Sequence, residues 1–281
     1  MVATAAEALE AATEGLAAAG VETPRLDAEL MLAEAADWDR AWIASHPDSR
    51  IPVGASREFA AMVRRRLRRE PVAYILGRKG FRRIDLVVEP RALIPRPETE
   101  LLVEVALELR PQGVLDVGTG CGAIALAVAD ELPETRVVAI DISMDALRVA
   151  QANTDRLGLG DRVDVVSRGV NSLAGAEPDG RPFDLLLANL PYVSEAEWDG
   201  LTPEIREYEP REALVAGPTG LEAIEALLAK VAELERRPGA VALEVGAGQA
   251  DAVVGLVSAA GFGEVEKRRD LSGIERVVVG R

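Results

Sequence analysis

The stretch VLDVGTGCGAIALA, residues 114–127, decides the fold. Its first half is a branched apolar run broken only by Asp116, its second half is an alanine-rich helical pattern, and Gly118, Gly120 and Gly122 stand between them. A buried strand that turns through glycines into a helix is the opening unit of a parallel sheet, whose strands are apolar throughout because helices cover both faces. The same alternation runs on to the C-terminus. Strands are expected at VLDVG (114–118), RVVAID (136–141), RVDVVS (162–167), FDLLLAN (183–189) and AVALEVG (240–246), with helices between them, then at 264–268 and 274–279. The DLSG turn region between the last two strands leaves no room for a helix, so that pair is expected to run antiparallel at one end of the sheet. The fold class read from these residues is α/β, a doubly wound sheet with an antiparallel last strand.

Upstream the texture differs. Residues Ala3 to Ala19 carry apolar side chains at helical spacing, Pro24 precedes a second helix through Leu30 and Leu32, and Ser56 to Glu70 makes a third or fourth. Residues 1–71 are therefore expected to form a small helical domain. In 72–90 the string YILGRKGFRRIDLVVE places a glycine-centred turn region between β-prone stretches, which predicts a β-hairpin linker ahead of a sheet domain over 91–281. The run MVRRRLRRE holds Arg64, Arg65, Arg66, Arg68 and Arg69, and two readings stand: a solvated helix face, or a docking surface for an acidic or RNA-bearing partner.

Bulk composition narrows the function classes. With 281 residues, 48% apolar and 28% charged, the chain is that of a globular protein, and its apolar runs fall well short of a bilayer span. The first residues carry Glu7, Glu10 and Glu14 without a basic start, as an amphipathic helix does and a signal peptide does not, so a cytoplasmic location is expected. One cysteine, Cys121, and one histidine, His46, leave neither an internal disulfide nor a Cys/His metal cluster to expect. A net charge of -15 repels polyanions and argues against direct nucleic-acid binding.

Two places in the sheet domain carry chemistry. Gly118, Thr119, Gly120, Cys121 and Gly122 follow the first strand, at the carboxyl end where open α/β sheets bind ligands. Glycines there let a cofactor approach the backbone. The spacing also satisfies the relaxed dinucleotide fingerprint, so a nicotinamide enzyme stays open on this feature. Asp141 ends the second strand, where a carboxylate can take both hydroxyls of an adenosine ribose or cap the helix starting at Ser143. Asp116 faces either a cofactor ammonium or the loop amides, and Cys121 reads as a small filler.

Asn189-Leu190-Pro191-Tyr192 follows the fourth strand directly. An amide nitrogen is a poor nucleophile because its lone pair is shared with the carbonyl. The Asn189 side-chain oxygen and the Leu190 carbonyl, aimed at its hydrogens, would hold such a planar NH2 and favour charge developing on nitrogen. Pro191 fixes φ, removes a competing donor and biases Leu190 toward an extended backbone, while Tyr192 offers a flat wall. The competing reading is a turn with a buried asparagine cap.

At these residues the sequence resembles the HemK/PrmC family, which methylates N5 of the glutamine in the Gly-Gly-Gln motif of peptide chain release factors. The likeness runs through REPVAYILG (69–77), ALIPRPETELLVE (92–104), VLDVGTGCGAIALA, AIDIS (139–143), FDLLLANLPYV (183–193), YEPREAL (208–214) and DLSGIERVVVG (270–280). The resemblance implies a class I methyltransferase sheet and S-adenosylmethionine as cofactor. It implies that Gly118 to Gly122 and Asp141, with Asn189, hold that cofactor, that Asn189 to Tyr192 take the glutamine side chain, and that the N-terminal helices help dock the release factor. With a methyl sulphonium in line, such a transfer needs positioning more than a strong base. Two positions depart from the family pattern: Leu190 stands where a proline is usual, and Arg168-Gly169-Val170 replaces an acidic-aromatic pair near the adenine, leaving Asn171 or a backbone amide as substitutes. Two other readings share the residues: an adenine-N6 or guanine-N2 methyltransferase, which offers the same planar NH2 to a similar tetrapeptide, and a noncatalytic paralogue that has kept the fold.

Overall fold

The computed structural model describes residues 3–173 and 183–281. The chain opens with α1 (Ala5–Ala18), α2 (Pro24–Ala36), α3 (Arg40–Ser45), α4 (Val53–Leu67) and α5 (Val72–Leu76). The first three begin at residues suited to a helix's first turn, whose N–H groups have no intrahelical partner. Thr4 accepts from the Glu7 amide while the Glu7 carboxylate accepts from the Thr4 amide, a reciprocal cap on α1. Pro24 occupies the first turn of α2, and Asp39 accepts from the Ala41 and Trp42 amides at the head of α3.

The segment VAYIL, expected as part of a hairpin, is instead the helical turn α5. The Tyr74 and Ile75 amides both donate to the Pro71 carbonyl, Gly77 closes the turn at φ 70°, and Ala73, Tyr74 and Ile75 are buried. Burial of three side chains on one turn outweighs the weak β preference of Tyr and Ile. The hairpin itself is β1 (Arg78–Phe81) and β2 (Ile84–Val87), paired antiparallel from Arg78↔Val87 to Phe81↔Ile84.

From there the chain runs α6 (Glu100–Leu109), β3 (Gly113–Val117), α7 (Ala123–Glu131), β4 (Arg136–Asp141), α8 (Met144–Leu157), β5 (Val163–Ser167), β6 (Leu185–Ala188) and β7 (Val193–Ser194). It continues through α9 (Pro203–Tyr208), β8 (Val215–Gly217), α10 (Glu222–Glu233), β9 (Ala240–Glu244), α11 (Ala250–Ala259), β10 (Val265–Arg269) and β11 (Glu275–Gly280). Seven strands form one sheet in the order β10-β11-β9-β6-β3-β4-β5. The five from β9 to β5 are parallel, and β11 runs antiparallel between β9 and β10. This is the doubly wound sheet with an antiparallel last strand that the apolar runs and the DLSG turn imply.

Two compact units account for the chain: residues 1–77 with Thr202–Tyr208, and residues 78–201 with 209–281. Leu9, Leu16, Met31, Leu32, Ile43 and Phe59 form the core of the first unit. The helix α9 belongs to that unit although it lies late in the sequence. Its Glu204 takes Arg66 at 2.9 Å and Arg69 at 2.6 Å, and Arg66 also pairs with Asp27 at 2.7 Å. Buried ions are tolerated only when paired in this way. Arg65 pairs with Glu70, so three of the five arginines in the basic run are committed to ion pairs within their own unit, and Arg64 and Arg68 stay exposed.

The second unit is centred on the sheet. Leu115, Val117, Ile140, Leu186, Ala188, Leu243 and Val278 pack with Ile224, Leu227 and Val253 from α10 and α11. Strands β7 and β8 make a separate two-stranded parallel ladder, Val193↔Val215 and Ser194↔Gly217, in a region where the sequence showed no strand period.

Candidate active site

Strands β6, β3 and β4 are neighbours in the sheet, so the loops that leave their carboxyl ends meet above it. These loops are Gly118–Gly122, Asp141–Ser143 and Asn189–Tyr192. Beside them lies a cavity of about 270 Å³, lined by Val117, Gly118, Gly120, Asp141, Ile142, Ser143, Ala146, Arg168, Gly169, Val170, Asn189, Leu190 and Pro191, together with Arg91, Ala92, Leu93, Pro210, Glu212 and Ala213.

The glycine loop is pinned to the end of β4, because the Gly118 and Thr119 amides both donate to the Ile140 carbonyl at 2.9 and 3.0 Å. Gly118 has φ 74°, and a Cβ there would stand 2.8 Å from Leu190 Cδ2. The loop's first glycine is thus required twice, by its left-handed backbone and by the leucine that packs on it. Gly120, at φ 58°, is different: a Cβ there would meet nothing within 4 Å, and its face is open to the cavity.

Asp141 is held by two amides, with Oδ2 accepting from Gly120 N at 2.9 Å and Oδ1 from Ser143 N at 2.8 Å. The cap of α8 is Ser143, whose hydroxyl oxygen accepts from Ala146 N, so the helix does not draw on Asp141 for its cap. The carboxylate faces the cavity with its geometry set by the backbone on either side.

Asp116 lies beneath the loop, fully buried. Its Oδ2 accepts from the Thr119 hydroxyl at 2.6 Å and from Ala125 N at 3.2 Å, while Oδ1 has no partner among the described residues. Its contacts are thus to the loop, through the Thr119 hydroxyl, and to the first turn of α7, through the Ala125 amide. Burial, the largest cause, pushes its carboxyl up to about 7 against those two hydrogen bonds. An unfolded chain ionises Asp116 near 4, so the group favours the fold fully below that pH and its contribution is lost as pH rises through 7. The loss is on the order of 3–5 kcal/mol. Denaturant unfolding at pH 5 and pH 8 should therefore show a smaller drop for Asp116→Asn than for wild type; equal drops would show that this carboxyl does not titrate as its burial requires.

Thr119, Cys121 and Gly122 do not line the cavity. Thr119 is turned to Asp116, and Cys121 is buried with its thiol pushed up to about 12 by desolvation, which suits a filler. Asn171 is exposed and outside the cavity wall, where Val170 and the backbone at Gly169 stand instead.

Asn189 lines the cavity, and its Nδ2 donates to Thr99 Oγ1 at 3.0 Å. Leu190 buries its side chain on the glycine loop, and no described residue donates to its carbonyl. Tyr192 lies off the cavity wall: its ring covers Gly246, its hydroxyl donates to Glu244 Oε1 at 3.4 Å, and its carbonyl accepts from Gln249 Nε2 at 2.8 Å. Desolvation raises the phenol to about 12, so it stays protonated.

Several residues that organise this region were not singled out from the sequence. Glu209 accepts from the Ile94 amide at 3.1 Å and from the Arg96 guanidinium, which ties YEPREAL to the IPRPETE turn. Asn153, fully buried, bonds both Val87 and the Cys121 carbonyl. Glu244 ends β9 fully inside the protein, and burial pushes it up to about 7. A charge in the otherwise apolar AVALEVG was the available clue.

Comparison with known proteins follows the same division of the chain. A model of the PrmC N-terminal domain matches residues 7–77, and a model of a methyltransferase domain matches residues 114–208. The release factor glutamine methyltransferase of Koribacter versatilis is 39% identical over 282 residues, covering 99% of this chain and 98% of its own. That of Geobacter sulfurreducens is 40% identical over 268 residues, covering 95% and 92%. Among solved structures, the catalytic domain of human Mettl16 aligns with a TM-score of 0.58 at 15% identity over 79% of each chain. The N-terminal domain of the same human protein, solved with SAH, aligns at 0.51 with 15% identity over 69% of this chain and 74% of that one. At such identities these structures speak for the fold alone, and the fold is that of the class I methyltransferases.

Proposed function

The chain belongs to the release factor glutamine methyltransferase family, and from that membership we propose that the cavity beside Asn189 is where an S-adenosylmethionine-dependent methyl transfer to N5 of the Gly-Gly-Gln glutamine takes place. The observation that carries this reading is the Asn189 amide, turned by Thr99 so that its oxygen is left for a ligand.

The residues present suit the cofactor. Asp141 offers a fixed carboxylate to ribose hydroxyls, the backbone at Gly120 is open to a ligand, and Ile142, Ala146, Val170 and Leu190 give an apolar wall for a flat base. S-adenosylmethionine supplies a methyl group on a positively charged sulfur, an electrophile that needs no acid to activate it. What remains for the protein is to bind and orient.

The Asn189 Oδ1 and the Leu190 carbonyl accept the two N–H bonds of the glutamine side chain, holding the nitrogen and favouring the positive charge that develops on it. Pro191 has no N–H to compete. Tyr192, anchored at its hydroxyl and packed over Gly246 off the cavity wall, holds the end of the tetrapeptide in place. Leucine in place of proline at 190 keeps the carbonyl, which any residue provides, and adds a side chain that packs on Gly118.

The helical unit matched to the PrmC N-terminal domain is proposed to dock the release factor, in the cytoplasm where release factors work. Commitment of Arg65, Arg66 and Arg69 to ion pairs supports a protein rather than a polyanion as partner. Incubation of the purified chain with methyl-labelled cofactor and a bacterial release factor should place label on the Gly-Gly-Gln peptide. Label on RNA or DNA, with none on the release factor at saturation, would overturn the reading.

A further inference from the structure

Gln249 stands immediately before α11, a position from which a polar side chain can cap a helix, yet it makes no cap there. Its half-buried amide is engaged elsewhere. Oε1 accepts from the Gly246 amide at 2.8 Å, and Nε2 donates to the Tyr192 carbonyl at 2.8 Å and to the Gly220 carbonyl at 3.4 Å.

These three partners leave the amide one orientation. Flipped, it would set NH2 against the Gly246 N–H and its oxygen against two carbonyl oxygens, so each contact would become a repulsion. The half that reaches Tyr192 is therefore a donor. The backbone nearby leaves room for this contact and little else. Gly220 has φ 80°, and a Cβ there would collide with the Tyr192 carbonyl oxygen and stand 2.8 Å from Gln249 Nε2. A Cβ at Gly246 would stand 2.9 Å from Gln249 Oε1 and 3.2 Å from the Tyr192 ring.

The consequence falls on the Asn189–Tyr192 tetrapeptide. Its first side chain is bonded to Thr99 and its second packs on Gly118. The peptide unit that leaves it, from Tyr192 to Val193, is held from both sides: its N–H donates to the Leu214 carbonyl at 2.9 Å, and its C=O accepts from Gln249. Without the Gln249 donor this plane is held on one side and is free to rotate. Pro191 is locked at φ, so fewer torsions remain to absorb such a rotation before it reaches the Leu190 carbonyl.

We infer that Gln249 is a positioning residue for methyl transfer: by fixing the Tyr192 peptide it holds the Leu190 carbonyl where the substrate nitrogen meets it. The inference rests on the reading that the Leu190 carbonyl receives the glutamine NH2.

The plainer account is that Gln249 only closes the loop between β9 and α11 through Gly246, and Gln249→Glu separates the two. A carboxylate keeps the acceptor for the Gly246 amide and has no proton for Tyr192, provided the assay is run at about pH 8, above the ordinary range of a half-buried carboxyl. Gln249→Met keeps the length of the side chain and removes both halves. Gln249→Glu is expected to lower kcat for release factor methylation by about 10- to 100-fold, the scale of a reacting group displaced by about 1 Å. The KM for release factor and the calorimetric Kd for cofactor should stay within about three-fold of wild type, because the lost alignment falls on the transition state. Gln249→Met should lose kcat in the same range.

A Gln249→Glu kcat within about two-fold of wild type would overturn the proposal and leave the residue to its loop. So would a kcat loss that comes with a cofactor Kd or a release factor KM raised by more than about ten-fold, since Gln249 would then support the fold at large. If Gln249→Glu fails to fold, Gln249→Met decides by the same measurements, and failure of both to fold also overturns the proposal. A wild-type protein that methylates no release factor would instead refute the underlying function, which separates the two failures.

Discussion

Replacing Asn189 by alanine should lower kcat for release factor methylation by about 10²- to 10³-fold, with the affinity for S-adenosylmethionine changed by less than about three-fold. The expectation follows from where the two halves of the amide point. Nδ2 is occupied by Thr99, so Oδ1 is the half left for the cavity. Alanine leaves the glutamine nitrogen with the Leu190 carbonyl alone. An acceptor on a nitrogen that gains positive charge is stronger in the transition state than in the bound substrate, so its loss falls on kcat more than on KM. Steady-state kinetics with calorimetric titration of cofactor would check this. A variant that turned over within three-fold of wild type would mean that Asn189 is a structural cap and nothing more.

The sheet was legible because its strands are buried on both faces. Runs such as RVVAID and FDLLLAN contain too few polar residues to be anything exposed and are too short to be buried helices. The glycine loop and NLPY were legible for a related reason: each immediately follows such a strand, and the carboxyl ends of parallel strands are where backbone is free to meet ligand.

Other parts were hidden by short range. The turn at Val72–Leu76 has β-prone residues, but only five of them, and a proline before and a glycine after let burial choose a helix. The excursion from Val193 to Gly217 shows neither period, since β7 and β8 are two and three residues long and α9 is six. Its attachment to the first unit depends on Glu204 meeting Arg66 and Arg69, partners about 135 positions away that no local pattern reveals. The basic run misled for the same reason, because an ion pair across that separation looks in sequence like an unpaired charge. Thr99 and Glu244 belong here too, since their partners, Asn189 and Tyr192, lie far along the chain.

The two halves of the site are not independent. Leu190 of the proposed substrate turn packs on Gly118 of the proposed cofactor loop so closely that no side chain fits between them. Asn153, through the Cys121 carbonyl, ties the far end of that loop to the hairpin strand β2. A residue added at 118 would therefore disturb both ligands together, whereas changes at Asn189 and Asp141 should separate them.

Asp141→Ala is the variant that should show the cofactor half by itself. Its carboxylate is the acidic group on the cavity wall whose two oxygens are set by backbone amides, at 2.9 Å to Gly120 and 2.8 Å to Ser143. Charge-assisted bonds of the kind it would make to ribose hydroxyls are worth about 1.5–3 kcal/mol each. Loss of two, partly offset by water, should raise the Kd for S-adenosylmethionine by about 100-fold, or about 3 kcal/mol. Asp141→Asn keeps one oxygen acceptor but gives up the charge and the second acceptor, so an increase nearer 10-fold is expected, about half the free energy. With cofactor raised to saturation, both variants should recover kcat, which Asn189→Ala cannot do. A Kd within three-fold of wild type for Asp141→Ala would assign the carboxylate to holding the loop amides and would move ribose recognition elsewhere on the cavity wall.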